Sequence, residues 1–331
     1  MEQEIDQIKK ELRRMRLAVT ILSVLFVGSG LVAITFLISG KRFQANAEPV
    51  HELTPVSPPD HTQKTESTAF RFDFLSVPDS LSLAGEPVPL TQQDIRERYE
   101  FEMLVTVYKN AATILGFKRS KRWFPVIEPI LQSEGVPDDF KYLCVIESNL
   151  ANAISPSNAV GFWQFLEGTG KQYGLEINED VDERYDVEKS TRAACKYLKD
   201  AYKKFGSWTL AAASYNMGMG GLQKQLEEQL ESSYYDMKLN QETARYVFRM
   251  AATKEIFTNP DKYGYTFSPD QLYTAPDVTY VEINTSIQDL VDFAKSNGTT
   301  FYMLKELNPW LRSKQLRNAA GKTYRLAIPV R

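Results

Sequence analysis

The run from Leu17 to Ser39 holds 23 residues without a charge, and it constrains this chain more than any other feature. At about 1.5 Å per residue, a helix of that length crosses a hydrocarbon core of about 30 Å. Lys9, Lys10, Arg13, Arg14 and Arg16 precede the run, whereas only Lys41 and Arg42 follow it closely. That asymmetry predicts a cytoplasmic N-terminus over residues 1–16, a transmembrane helix over 17–39 and everything later outside the cytoplasm. A cleaved signal peptide is the competing reading, with Ala45-Asn46-Ala47 as the cleavage site. The run is long for a signal core, and two basic residues separate it from that site, so a retained anchor is the expectation. No cysteine lies near residue 40 to carry a lipid. Ile5, Ile8, Leu12 and Met15 keep coiled-coil spacing for only two heptads, and they read as a helix entering the membrane.

Beyond the anchor, Pro49, Pro55, Pro58 and Pro59 stand among polar residues. Residues 40–69 are therefore expected to form a disordered tether. Phe70, Phe72, Phe74, Leu75, Leu81 and Leu83 then lack helical periodicity, which predicts an extended strap packed on the next domain. Helical signals follow. Thr91 caps a helix carrying Ile95, Tyr99, Leu104, Val107, Tyr108, Ala111 and Leu115. A stretch interrupted by Pro125 and Pro129 stops at Gly135. Pro137-Asp138-Asp139 opens another helix, Asp186 a fourth that ends near Gly206, Ser207 a fifth through Tyr215, and Asn240 a sixth to about Phe257. After residue 277 the period changes. Val278 to Ile283 and Tyr324 to Pro329 read as strands, with helices between them around Leu290 and Leu304. The expected fold is mainly α, with a helical domain over 70–265 and a small β-α-α-β module over 277–331.

Composition excludes most chemistries. A net charge of −3 without a long basic tract argues against a nucleic-acid partner. The only histidines, His51 and His61, lie in the tether, so a Ser-His-Asp triad, a Cys-His dyad or a histidine metal site is not expected. Two cysteines, Cys144 and Cys195, are too few for a thiolate zinc site and read as core residues, a disulfide being the alternative. No phosphate-binding glycine motif is present. Neither metal nor cofactor is expected, and carboxylate, tyrosine, serine and lysine chemistry is left.

The helix from Pro137 carries the main clue. Phe140, Leu143, Cys144 and Glu147 fall at i, i+3, i+4 and i+7, on one face. A carboxyl held on an apolar stripe has its charged form disfavoured, so it can carry a proton at neutral pH and give it up to a leaving oxygen. The other reading is a glutamate that leaves the helix end and faces water. The pattern alone does not choose between them.

Further segments occur in a fixed order. Glu147-Ser148 is followed by Ser155 to Gly161, by Phe162-Trp163-Gln164-Phe165, by Ala213-Ser214-Tyr215-Asn216-Met217-Gly218, and by Glu242-Thr243 with Tyr246. Taken together, and with Gly135-Val136-Pro137 leading in, they resemble the lytic transglycosylase domain of the soluble type, in its membrane-bound murein transglycosylase D-like branch. The C-terminal module resembles a lysin motif, through Asn308-Pro309 and Leu326-Ala327-Ile328-Pro329, although Asn284-Thr285-Ser286 replaces the usual Gly-Asp-Thr. Glycan binding by that module and a purely structural role both stay open.

The resemblance implies a lysozyme-like helical fold and a membrane-anchored peptidoglycan lyase with its catalytic domain on the periplasmic side. Its partners would be peptidoglycan strands and the lipid bilayer. Glu147 would act as the single acid and base, cleaving the MurNAc-GlcNAc bond with formation of 1,6-anhydro ends. Ser155, Gln164, Tyr215, Asn216 and Tyr246 would contact substrate, with Tyr215 on Glu147 or on an acetamido group. Ser148 and Glu242 would support the site, and Tyr246 also reads as a supporting residue. Asn216, Gly218 and Gly220 are expected to form a tight accessible loop. Trp163 reads as core or as a sugar platform. A hydrolytic muramidase and a non-catalytic wall-binding scaffold are the rival functions.

Overall fold

Capping residues set most of the helix bounds in the computed structural model, which describes residues 75–330. The expected cytoplasmic segment, membrane span and tether lie outside the described residues. Among those described, no helix is long and apolar enough to cross a membrane.

The first element among the described residues is a hairpin, β1 (Leu81–Leu83) paired antiparallel with β2 (Glu86–Val88). The strap expectation missed it because its turn is only Ala84-Gly85, both at positive φ, a two-residue turn that brings short strands into register. Leu83, Val88 and Leu90 are buried, so this segment does pack on the helices. Its Glu86 accepts from the backbone N–H of Trp208 at 2.6 Å and of Thr209 at 2.9 Å. A β-segment thus serves as the cap of a helix more than 100 residues later.

The single helix expected from Thr91 to Leu115 is two: α1 (Gln93–Tyr108) and α2 (Ala111–Glu134). The break falls at Asn110, and Thr113 closes it by donating from Oγ1 to the carbonyl of Thr106 at 2.6 Å. Conversely, Pro125 and Pro129 interrupt nothing. Both are exposed, so the carbonyls they leave without an N–H partner face solvent, while Ile127, Ile130 and Leu131 anchor the opposite side of α2. Gly135, at φ +69, ends this helix in the left-handed conformation.

Next come α3 (Lys141–Ser148), entered by a single 3-10 turn at Asp138–Phe140, then α4 (Glu167–Gln172) and α5 (Val187–Phe205). The side chain of Asp186 caps α5, which ends on Gly206. Ser207 caps α6 (Trp208–Met217), α7 (Met219–Gln229) follows, and Asn240 caps α8 (Gln241–Thr258). The accessible loop expected at Asn216 to Gly220 is instead a junction between two helices. Gly218, at φ +78, is its hinge, and Gly220 lies inside α7. A core of Tyr99, Phe140, Leu143, Trp163, Tyr246 and Phe248, each at most 2% exposed, joins α1, α3 and α8.

The C-terminal part has β3 (Val278–Ile283), α9 (Leu290–Ser296), α10 (Phe301–Leu307) and β4 (Tyr324–Pro329), with Val278 opposite Pro329 and Ile283 opposite Tyr324. Ile287 pairs with Leu316 as an isolated bridge just before α9. Asn308 explains itself structurally: its buried amide donates to Leu304 and Ala327 carbonyls and accepts from the Ala327 N–H, all at 2.8–2.9 Å. Val160, Val181 and Tyr185 of the helical part belong to the apolar core of this module. Around that seam Asp182 N–H donates to the Trp310 carbonyl at 2.8 Å, Arg312 N–H to Asp180 at 2.7 Å, and Arg317 Nε to the Asp180 carboxylate at 2.6 Å.

Candidate active site

Glu147 sits in the last turn of α3, where Leu143 and Cys144, with Phe140 of the entering turn, have no exposed surface. The side chain is partly buried and reaches a cleft of about 300 Å³. Val105 and Lys109 at the end of α1, Ala153, and Arg249, Thr253 and Phe257 of α8 share its lining. Burial pushes the Glu147 carboxyl up to about 7, with Glu242 adding to the shift, while a hydrogen bond from Tyr246 and the charge of Arg249 oppose it. Glu147 thus stands between the two readings, rooted on the apolar stripe with its carboxyl at the cleft.

Tyr246, fully inside the core, donates its hydroxyl proton to Oε1 of Glu147 in a short hydrogen bond. Tyr215 does not make this bond. Its hydroxyl donates to the carbonyl of Trp163 at 2.8 Å, so it fixes the segment that carries Gln164 instead. Trp163 has no exposed surface, and its indole N–H donates to Thr191 at 2.8 Å, so it is core and not a sugar platform. Asn216 accepts from Thr243 Oγ1 at 2.7 Å and ties α6 to the start of α8.

Ser148 supports the helix end, donating to the Phe162 carbonyl at 2.8 Å and lying 3.2 Å from that of Cys144. The following loop is folded back on itself: Ser155 N–H donates to Ala159, and Ala159 N–H donates to Ser155 Oγ at 3.0 Å. The Ser155 hydroxyl keeps its own proton to give. Asn158 takes the left-handed conformation its side chain tolerates, at φ +59. Gln164 was expected to donate to substrate, but its amide nitrogen donates to the Ala153 carbonyl at 3.1 Å and to that of Gly161 at 2.8 Å. Only its carbonyl oxygen is left to face a ligand.

Three residues were not foreseen. Arg184 is buried against Asp182 and donates to the Asn158 and Phe165 carbonyls at 3.3 and 3.2 Å, bracing the Ser155 loop. Arg249 places its guanidinium in the cleft wall, 3.1 Å from Glu242 and 3.7 Å from Glu102. Glu102 itself has no exposed surface. Sequence signals did exist: Glu242, Tyr246 and Arg249 share a face of α8, and Glu102 continues the apolar stripe of Ile95 and Tyr99. Cys144 and Cys195 are free and buried. Among the described residues no group of three or more His, Cys, Asp or Glu side chains is placed to hold a metal ion.

Comparison with known proteins matches two segments of the chain to families. Residues 125–238 match the Transglycosylase SLT domain, and residues 279–331 match the Soluble lytic transglycosylase C-terminal LysM-like domain. The chain is homologous to the Membrane-bound lytic murein transglycosylase D of Escherichia coli (strain K12), 29% identical over 200 residues. That alignment takes in 59% of this chain and 43% of the relative. A protein of Alteromonas sp. (strain M-1), named for tributyltin chloride resistance, is 30% identical over 116 residues, 34% of this chain and 56% of its own length. The chain thus spans about half the length of the curated relatives it matches or less.

Proposed function

With an SLT transglycosylase domain followed by a LysM-like domain as the premise, we propose that this chain is a peptidoglycan lytic transglycosylase, a carbon–oxygen lyase with Glu147 as its acid and base. One observation carries the reading: a carboxyl at the end of an apolar helix face opens onto a cleft and keeps a buried tyrosine hydroxyl as its partner, and burial pushes it up to about 7. Such a group is protonated often enough to donate and ionised often enough to accept.

Glu147 would protonate the oxygen of the MurNAc-GlcNAc bond as that bond breaks. The resulting carboxylate would then take the proton of the 6-hydroxyl while its oxygen closes on C1, giving a 1,6-anhydro ring. The proton returns to Glu147, no water is consumed and no second carboxylate takes part, unlike the usual two-carboxylate glycosidases. Tyr246 would hold Glu147 in position. Ser155 would donate to a sugar, and the Gln164 carbonyl would accept from one. Tyr215, Asn216, Ser148 and Glu242 would keep the surrounding elements in register.

In the same proposal, residues 70–265 form the catalytic domain and 277–331 a glycan-binding module. Residues 17–39 anchor the chain, 1–16 stay in the cytoplasm, and 40–69 tether the domains on the periplasmic side of the membrane. The relative's name, membrane-bound, fits an anchored enzyme.

Mass spectrometry of peptidoglycan digested by the purified chain tests this. Anhydro-muramic ends are expected, and they disappear in Glu147→Gln. Reducing ends alone would make it a muramidase. Wall binding without any cleavage, equal in parent and variant, would make it a scaffold.

A further inference from the structure

Helix α8 presents Glu242, Arg245, Tyr246 and Arg249 at spacings of three and four, so these side chains share one face. That face meets α1 at Glu102. Arg245 donates from Nε to Oε1 of Glu102 in a short charge-assisted bond. Oε2 of Glu102 has no hydrogen-bond partner among the described residues and stands 3.7 Å from Nε of Arg249. An ion pair serving only to bolt α1 to α8 would need Arg245 alone. Glu102 instead faces a second arginine with an oxygen that bonds nothing else.

Arg249 is held from two sides. Its Nη1 donates to Glu242 at 3.1 Å, and both Arg249 and Glu147 line the cleft. An arginine there, free to swing, would pair with the Glu147 carboxylate, because opposite charges in a partly buried site attract strongly. It does not: the carboxyl of Glu147 makes its hydrogen bond with Tyr246 and has no ion pair among the described residues.

We propose that Glu102 is a positioning residue which, with Glu242, retains Arg249 beside the cleft and keeps it from pairing with the Glu147 carboxyl. The inference rests on the reading of Glu147 as acid and base. Glu102 touches no reacting atom. It acts through Arg249, whose positive charge favours the ionised carboxyl. The other groups around Glu147 are Cys144 on its own helix, Tyr215 on α6, Tyr246 and Glu242 on α8, and Lys109 at the cleft rim. Lys109 is the one cation in that set, and unlike Arg249 it is not clamped between carboxylates.

The test is a titration of the Glu147 side-chain carboxyl by 13C NMR in the full chain, which needs no substrate, run beside pH–rate profiles on peptidoglycan. Glu102→Gln should lower the Glu147 midpoint by about one pH unit and move the alkaline limb of the profile down with it. Arg249→Gln should move both upward, Arg249→Lys less so, and the double variant should fall between the two singles. Loss of packing alone would not shift the two single variants in opposite directions. If both move the midpoint the same way, or neither moves it, the proposal is overturned. If Glu102→Gln does not fold, an unchanged midpoint in Arg249→Gln overturns it alone. Midpoints that move as stated in a protein that cleaves no glycan would uphold the clamp and remove the enzymatic reading. Cleavage with unmoved midpoints would do the reverse.

Discussion

Tyr246 donates its hydroxyl proton to Glu147 across 99 residues of sequence, joining the middle of α8 to the last turn of α3. The donor favours the charged carboxyl, since a hydrogen bond given to the ionised form stabilises it. Tyr246→Phe should therefore raise the Glu147 midpoint further above about 7 and move the alkaline limb of activity upward. Turnover should nonetheless fall by about 10- to 100-fold, because the carboxyl loses its orientation. A pH–rate profile of this variant against the parent checks both effects.

Glu147 also links stability to pH. Its carboxyl goes from 4.5 when unfolded to about 7 when folded. Stability is then complete below 4.5 and declines as pH rises through about 7, where the ionised group is held in an unfavourable site. Glu147→Gln has no such decline, so by pH 8 it should exceed the parent by about 3 kcal/mol relative to the difference at pH 4. Urea unfolding of both proteins at these two pH values measures it.

Gly161 turns the chain at φ +83 between the Ser155 loop and Trp163. A Cβ there would run into the backbone carbonyl of Arg184, far inside contact distance. Gly161→Ala should cost about 3 kcal/mol or more and displace Gln164, with thermal unfolding and activity falling together. An unchanged melting temperature would mean the loop is not seated on Arg184.

Arg317 keeps the C-terminal module on the helical part. Its hydrogen bonds to Asp180 bring that carboxyl down to about 2, against the opposing effect of burial. The contribution is complete above 3.8 and is lost as pH falls towards 2. Arg317→Met should weaken the seam at neutral pH, because the Asp180 carboxylate loses its side-chain partner there. Hydrogen exchange should speed up in β3 and β4 and leave α5 unchanged.

Much of the fold was legible because helix ends are local. Asp186, Ser207 and Asn240 each cap a helix with their own side chains, Gly135 and Gly206 close α2 and α5, and β3 and β4 keep the bounds their sequences imply. What escaped was tertiary. Pro125 and Pro129 stay helical because their exposed side faces water while Ile127 and Leu131 are buried. The hairpin at Ala84-Gly85 has strands of three residues, too short for alternation to show. At the site, the apolar spacing of Phe140, Leu143 and Cys144 pointed to Glu147, and nothing local could say that Tyr246, not Tyr215, would reach it. Glu102 was readable only as a charge in an apolar stripe, and its role depends on two arginines almost 150 residues away.

All of these expectations depend on the protonation state of one carboxyl. The 13C chemical shift of the Glu147 side-chain carboxyl, followed from pH 4 to pH 9 in the parent protein, reads that state without substrate. A midpoint near 7 is predicted; a midpoint near the ordinary 4.5 would contradict the account.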